Sequence, residues 1–90
     1  MCERDVLRFL RYYYAPIVDF AIDLAGVSDV EREAIELCGR RQMTIQAAAE
    51  YAVPPVSTNT MQARWSSARK RLCRSWSSVE WVQLLADTVD

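Results

Sequence analysis

The sequence contains no histidine and only two glycines and three cysteines among its 90 residues. The cysteines, Cys2, Cys38 and Cys73, lie far apart and lack the paired spacing of a zinc site, so we expect free thiols in a reducing cytoplasm. The chain also lacks a glycine-rich phosphate loop and an evident pair of catalytic carboxylates. We therefore predict that the protein is not an enzyme, has no catalytic residue and needs no metal or cofactor.

Long apolar runs are missing as well. No stretch approaches the roughly 20 residues that a membrane span requires, and the opening Met-Cys-Glu-Arg-Asp lacks the basic start and apolar core of a signal peptide. About half of the residues are hydrophobic (51%), enough for the modest core of one domain. The sequence thus predicts a single cytoplasmic domain over residues 1–90, without contact to a membrane.

The net charge of −1 conceals a strongly uneven distribution along the chain. Residues 1–39 carry four basic and eight acidic side chains, residues 40–78 carry seven and one, and residues 79–90 carry none and three. Phosphate binding depends on local charge, so the basic central segment can form a nucleic-acid-binding face although the whole chain is slightly acidic. The alternative is an ordinary helix with a solvated face of arginine and lysine.

Helical periodicity dominates the chain, and no strand pattern competes with it. Four principal helices are predicted, and the fold class is all-α. The first extends from Glu3 to about Ala25, with Pro16 kinking it or starting a second helix, and residues 1–26 form a candidate dimerisation element. Gly26 ends this helix, Ser28 and Glu31 form a capping box for the next, and Gly39 is expected to end that one.

The region from 44 to 72 predicts two helices joined by a short turn. Thr44 caps an alanine-rich helix, Val53-Pro54-Pro55 interrupts the chain, and Ser57 caps a helix over about 58–72. That last helix has an apolar stripe of Met61, Trp65, Ala68 and Leu72. Its other positions are mostly polar or basic, which is typical of a DNA-recognition helix, so we predict a helix-turn-helix unit over residues 28–73. A short C-terminal helix is predicted over residues 76–88.

Several segments resemble the DNA-binding carboxy-terminal domain, region four, of bacterial sigma factors. They are residues 28–37 (SDVEREAIEL), Thr44-Ile45 through Ala48-Ala49-Glu50, Val56-Ser57 through Thr60-Met61, and residues 68–72 (ARKRL). The tyrosine-rich helix before them is similar to one in small sigma-like regulators of phages and mobile elements. The resemblance implies a helical protein that binds DNA at promoters or phage-type regulatory sites. The turn here lacks the family's usual glycine and is about two residues longer.

The recognition helix supplies the predicted contacts to double-stranded DNA. Where the family commonly has arginines, this chain has uncharged side chains, and the predicted base contacts are Asn59, Gln62, Ala63 and Ser66. The predicted phosphate contacts are Thr44, Thr58, Arg69, Lys70 and Arg74. Arg64 and Arg71 lie nearer the buried side of the helix. The alternative, without a DNA contact, is that Asn59 is a solvated first-turn residue and that some of the arginines only pair with acidic neighbours.

Two other functions remain open at this point. A helical interaction module could use the same scaffold to bind RNA polymerase or a phage packaging component, with little DNA affinity. A DNA-recognition subunit of a phage packaging machine would share the fold but not the regulatory role. We also expect a homodimer, because the helix from Glu3 to Ala25 and the segment with Trp81, Leu84 and Leu85 carry more apolar surface than a small core needs. Trp65, Trp76 and Trp81 are predicted to pack in the core or an interface.

Overall fold

The computed structural model describes residues 1–88, which form helices and connecting turns and contain no strand. Six α-helices occur: α1 (Glu3–Tyr12), α2 (Ala15–Ala25), α3 (Asp29–Ala34), α4 (Ile45–Tyr51), α5 (Thr58–Trp76) and α6 (Glu80–Asp87). A π-helical segment, Ile35–Arg40, continues directly from α3. The prediction of an all-helical fold is confirmed for residues 1–88, which contain six α-helices where four principal helices and a short C-terminal one are predicted.

The first predicted helix is divided into α1 and α2 at Tyr13 and Tyr14. Pro16 lies in the first turn of α2, where its missing N–H has no intrahelical carbonyl to meet, so it starts a helix rather than kinking one. Gly26 ends α2 in the left-handed conformation, at φ 64°, as predicted. Tyr12, the last residue of α1, and Tyr14, within the break, are both exposed.

The predicted caps are all present because each depends on residues close in sequence. The Ser28 hydroxyl accepts a hydrogen bond from the Glu31 N–H while the Glu31 carboxylate accepts one from the Ser28 N–H, which completes the capping box. The Thr44 hydroxyl accepts from the Ala47 N–H at 3.1 Å, and the Ser57 hydroxyl accepts from the Thr60 N–H at 3.1 Å.

The prediction that Gly39 ends a helix is wrong. Gly39 is buried inside the π-helical segment, which continues to Arg40, and the chain leaves it through Gln42, whose φ is 57°. A Cβ atom at residue 39 would lie only 2.9 Å from Leu10 Cδ1 and 2.9 Å from Trp65 Cη2. The glycine therefore allows the π-helical segment to approach α1 and α5 closely, a role set by tertiary neighbours rather than by local sequence.

The centre of the fold is α5, which packs against α1, α2, α3, α4, α6 and the π-helical segment. Its buried stripe is Met61, Trp65, Ala68, Leu72 and Trp76, so the apolar positions predicted for the recognition helix are confirmed. Trp76 is wholly buried; its ring packs edge-on against Phe9, and its indole N–H donates to the Ala21 carbonyl at 2.8 Å. Burial of this stripe fixes which side of α5 faces outward.

The C-terminal boundary differs from the prediction of a helix over residues 76–88. Trp76 belongs to α5, and after a turn at Ser77 and Ser78 the short helix α6 packs on α1 and α5 through Val82 and Ala86. Trp81 is only partly covered, at 37% exposure, and lies beside Phe20 of α2. Of the three tryptophans, Trp65 and Trp76 are core residues as predicted, whereas Trp81 is on the surface.

Candidate nucleic-acid interface

The side of α5 opposite its buried stripe forms a continuous surface. We define the outer face of α5 as Asn59, Gln62, Ala63, Ser66, Lys70 and Arg74, all of which are exposed except the half-buried Ser66. At about 1.5 Å per residue, the helix is roughly 28 Å long, and the amides of its first two turns are followed by cations nearer its C-terminal end. The four predicted base contacts and two of the five predicted phosphate contacts therefore share this face.

The other predicted phosphate contacts lie elsewhere. Arg69 is half-buried at the side of α5, and its guanidinium carbon is 5.2 Å from the centre of the Trp65 ring. Its Nε is shielded from solvent and has no hydrogen-bond partner among residues 1–88. Thr44 is exposed at the start of α4, where its hydroxyl caps that helix, and Thr58 is exposed in the first turn of α5. The structure thus brings Lys70 and Arg74 together but places Arg69 against an aromatic ring.

Ion pairs divide the seven cations of residues 40–78 into two groups. Arg40 pairs with Asp19 at 2.5 Å, Arg41 with Glu36 at 3.4 Å, and Arg71 with Glu31 at 3.4 Å. Within residues 1–88 no carboxylate lies within 4.0 Å of the other four cations, which are Arg64, Arg69, Lys70 and Arg74. All four belong to α5, a helix without an acidic residue. Among these seven cations the unneutralised charge is therefore concentrated on α5, while Arg4 and Arg11 of α1 likewise have no carboxylate within 4.0 Å among residues 1–88.

Arg71 is paired with a buried carboxylate whose role the sequence did not reveal. Glu31 is only 6% exposed and accepts hydrogen bonds from the Ser28 N–H (3.0 Å), the Ser67 hydroxyl (2.9 Å) and Arg71 Nε (3.4 Å). The hydrogen bond from the Ser28 backbone, followed by those from the two serine hydroxyls and the charge of Arg71, lowers the pKa of Glu31 although burial opposes this. The carboxylate thus ties α5 to the start of α3.

The sequence contains only a weak indication of these hydrogen bonds between α5 and Glu31 of α3. Ser67 and Arg71 are four residues apart, so they lie on the same flank of α5, and the sequence predicts only the capping-box role for Glu31. What the sequence did not contain was the position of α3 beside that flank. With Arg71 paired and Ser67 donating to Glu31, the orientation of α5 about its own axis is fixed from outside the apolar core.

A shallow groove of about 400 Å³ runs along the outer face of α5, lined by Ala63, Ser66, Ser67, Lys70, Arg71 and Arg74. Hydroxyl donors and cations line it, and the chemistry that such a surface offers is hydrogen bonding and attraction of anions such as phosphate. A larger groove of about 500 Å³ lies away from it, between α2, α3 and the end of α4. There the charges of Arg32, Arg40 and Arg41 are matched by acidic neighbours, so that groove does not attract anions.

Two further observations concern metals and membranes. Within residues 1–88, no group of three or more histidine, cysteine, aspartate or glutamate side chains could hold a metal ion. None of the described helices has both the length and the apolar character needed to cross a membrane. Comparison of the chain with models of protein families, with curated proteins and with solved structures found no match.

Proposed function

We propose that the protein binds double-stranded DNA with α5 in the major groove and that it regulates transcription. In this proposal α4, the turn after it and α5 act as a helix-turn-helix of the sigma region-four type. The observation that carries the proposal is the composition of the outer face of α5. Amides and small side chains occupy its first half, and cations without a carboxylate partner among residues 1–88 occupy its second half.

The geometry of α5 suits insertion with its N-terminal end first. The major groove, about 12 Å wide, admits an α-helix, and the recognition helix of a helix-turn-helix contacts base edges with its N-terminal residues. In that arrangement the later turns of a helix about 28 Å long lie near the phosphates. Asn59, Gln62 and Ala63 are in those first turns, and Lys70 lies about 12 Å further along the axis than Gln62. Bases would thus meet the uncharged residues and phosphates would meet the cations.

The chemistry of the first turns favours adenine and thymine. A glutamine or asparagine amide pairs with adenine through its N6 and N7 atoms, and the methyl group of Ala63 suits contact with the thymine methyl. Ser66 can donate to or accept from a base of either kind, but its partial burial limits its reach. We expect the preferred site to contain A·T pairs where Asn59 and Gln62 make contact.

Lys70 and Arg74 supply the sequence-independent part of the affinity. Each phosphate neutralised releases condensed counterions, which contributes about −0.9 to the slope of log K against log salt concentration. Lys70→Ala should therefore weaken binding to every duplex and reduce the slope by about one unit. Gln62→Ala should leave the slope nearly unchanged and cost about 1–3 kcal/mol on the preferred duplex only.

The experiment begins with selection of a preferred site from a random duplex library. Binding of the wild type, Lys70→Ala and Gln62→Ala to the selected and a scrambled duplex is then titrated by fluorescence anisotropy over a range of salt concentrations. Arg11→Ala is the matched control, because Arg11 is exposed near the end of α1, which packs on the buried side of α5. This control should bind like the wild type.

Each possible failure has a defined meaning. If the wild type binds no duplex at low salt, where attraction to phosphate is strongest, the DNA-binding proposal is wrong and a module binding RNA polymerase or another protein takes its place. If Arg11→Ala reduces the slope as much as Lys70→Ala, the binding is diffuse and α5 is not the contact surface. The regulatory role is tested with the selected site in a reporter promoter, where the wild type should change expression and Gln62→Ala should not.

A further inference from the structure

An apolar surface lies between α2 and α6. We define the α2–α6 patch as Pro16, Ile17, Phe20, Leu24, Trp81, Leu84 and Leu85. Phe20 is 56% exposed and Leu84 is 61% exposed, and the rings of Phe20 and Trp81 lie side by side with their centroids 6.2 Å apart. Leu24 follows Phe20 by one helical turn and Leu84 follows Trp81 by one turn, so the exposed side chains form two adjacent rows.

We infer that this patch is the contact surface of a homodimer of the protein. Its shape supports a second copy as the occupant, because it contains both a groove and a projection. Pro16, Ile17, Phe20, Trp81 and Leu85 line a groove of about 450 Å³, while Leu84 projects beside it. In a two-fold dimer the same surface meets itself, so each Leu84 would enter the groove of the other copy.

The area of the patch is close to what a stable dimer needs. Its four most exposed members, Phe20, Leu24, Trp81 and Leu84, each offer roughly 100 Å² of accessible surface, or about 400 Å² together, a size at which apolar patches are often functional. Complete burial of these four side chains in two copies would remove at most about 800 Å² of apolar surface from water. The smallest specific interfaces bury about 1,200 Å² in total, and about 65% of a homodimer interface is apolar, which is also about 800 Å².

The charged residues of α2 and α6 lie at the edge of the patch or outside it. All four charged residues of α2 and α6 are acidic, but Asp19 and Asp23 point to the neighbouring helices, where they pair with Arg40 and Arg32. On α6, Glu80 and Asp87 lie one helical turn before and after Leu84, so these two carboxylates border the patch. No charged residue is a member of the patch, and in a dimer the two α6 carboxylates would belong to the polar rim of the contact.

The test is the mass of the full chain in solution, without DNA, between about 1 and 100 µM by light scattering and sedimentation. The wild type should reach twice the chain mass of 10.3 kDa within this range. Phe20→Glu and Leu84→Glu should each weaken dimerisation by at least about tenfold, because a carboxylate would be buried without a partner. Val30→Glu is the matched control, since Val30 is also an exposed apolar residue but lies on α3.

Fluorescence gives a second measurement that does not depend on mass. Trp65 and Trp76 are buried within the chain, so Trp81 is the tryptophan whose surroundings change when the dimer dissociates. Emission of the wild type should shift to longer wavelength on dilution, and the glutamate variants should show the shifted spectrum at every concentration. Circular dichroism and thermal unfolding verify that the variants remain folded.

A wild type that is monomeric at 100 µM would overturn the inference. A dimer that persists unchanged in both Phe20→Glu and Leu84→Glu would also overturn it, because another surface would then make the contact. A result in which Val30→Glu dissociates the dimer as strongly as the patch variants would place the interface elsewhere. None of these outcomes depends on whether the protein binds DNA.

Discussion

The close approach at Gly39 makes the replacement of this residue by alanine a sensitive test of the fold. The added methyl group would lie 2.9 Å from Leu10 Cδ1 and 2.9 Å from Trp65 Cη2, whereas carbon atoms in proteins prefer separations of about 3.5–4.0 Å. The end of the Leu10 side chain can rotate away. The Trp65 indole is rigid and buried, so the contact with Trp65 decides the outcome.

Two opposing effects determine the change in the free energy of unfolding for Gly39→Ala. An extra methyl group in a well-packed core costs about 1–3 kcal/mol. Alanine is better than glycine within a helix by about 0.5–1 kcal/mol, which offsets part of this cost. We expect a net loss of about 1–2 kcal/mol, equivalent to a decrease of about 5–15 °C in melting temperature for a domain of this size.

The assay is thermal and urea unfolding, followed by circular dichroism, of the wild type, Gly39→Ala, Trp65→Phe and the double variant. Phenylalanine lacks the outer ring atoms that meet the added methyl group, so the double variant should be more stable than the sum of the single effects predicts, by about 1 kcal/mol. Equal stability of Gly39→Ala and the wild type would refute the argument, because the close approach would then cost nothing.

Gly26→Ala is the matched control for this cycle. No heavy atom lies within 4 Å of a Cβ placed at residue 26, so the methyl group meets no neighbour there. Its cost comes only from the left-handed backbone at φ 64°, about 1–2 kcal/mol. Trp65→Phe should therefore leave the effect of Gly26→Ala unchanged. If the effects of Gly26→Ala and Trp65→Phe are not additive, the double-mutant cycle reports a general loss of folding cooperativity and not the contact between residue 39 and Trp65.

Three further predictions concern the buried groups. Trp65→Ala should lower the free energy of unfolding by about 3–5 kcal/mol, whereas an unchanged melting temperature with loss of DNA binding alone would place Trp65 on the outer face of α5. Because the pKa of Glu31 is lowered from its ordinary 4.5, its contribution to stability is complete above pH 4.5 and declines as pH falls through the lowered pKa. Glu31→Gln should lower the free energy of unfolding by about 1–3 kcal/mol at pH 7. Urea titrations of this variant should also show a smaller loss of stability between neutral and acid pH than the wild type shows. An unaltered dependence of stability on pH would contradict the role of the carboxylate. Burial raises the pKa of Cys38, so a thiol reagent should modify the exposed Cys2 at once and Cys38 only at the rate of unfolding; immediate modification of Cys38 would contradict its burial.

The sequence predicted those features that depend on near neighbours in the chain. Ser28, Thr44 and Ser57 cap helices because their hydroxyls meet an N–H three residues later, and a pattern of that length is visible without a structure. The buried stripe of α5 was likewise predictable, since the helical period places Met61 and Trp65 on one side. With the buried side known, the outward position of Lys70 and Arg74 followed directly.

Features that depend on distant parts of the chain were not predictable in this way. Glycine commonly ends helices, so the sequence predicts that role for Gly39, but its function here comes from Leu10 and Trp65, which lie 29 and 26 residues away. The charge of Arg69 and its position beside the outward side of the helix predict a phosphate contact, but its place over an aromatic ring depends on the rotation of α5 against its neighbours. The pairing of Glu31 with Arg71, 40 residues apart, required the packing of α3 beside α5.

The central position of α5 has a consequence for the thermodynamics of any complex that its outer face forms. Because every other helix packs on α5, its side chains are presented by a backbone that is already ordered before a ligand arrives. Binding then requires little loss of backbone entropy, and its heat-capacity change should reflect only the surface buried in the contact rather than coupled folding. Selectivity for a ligand would accordingly depend on how well the ligand adapts to a rigid surface, with deformation of the partner as the main energetic cost.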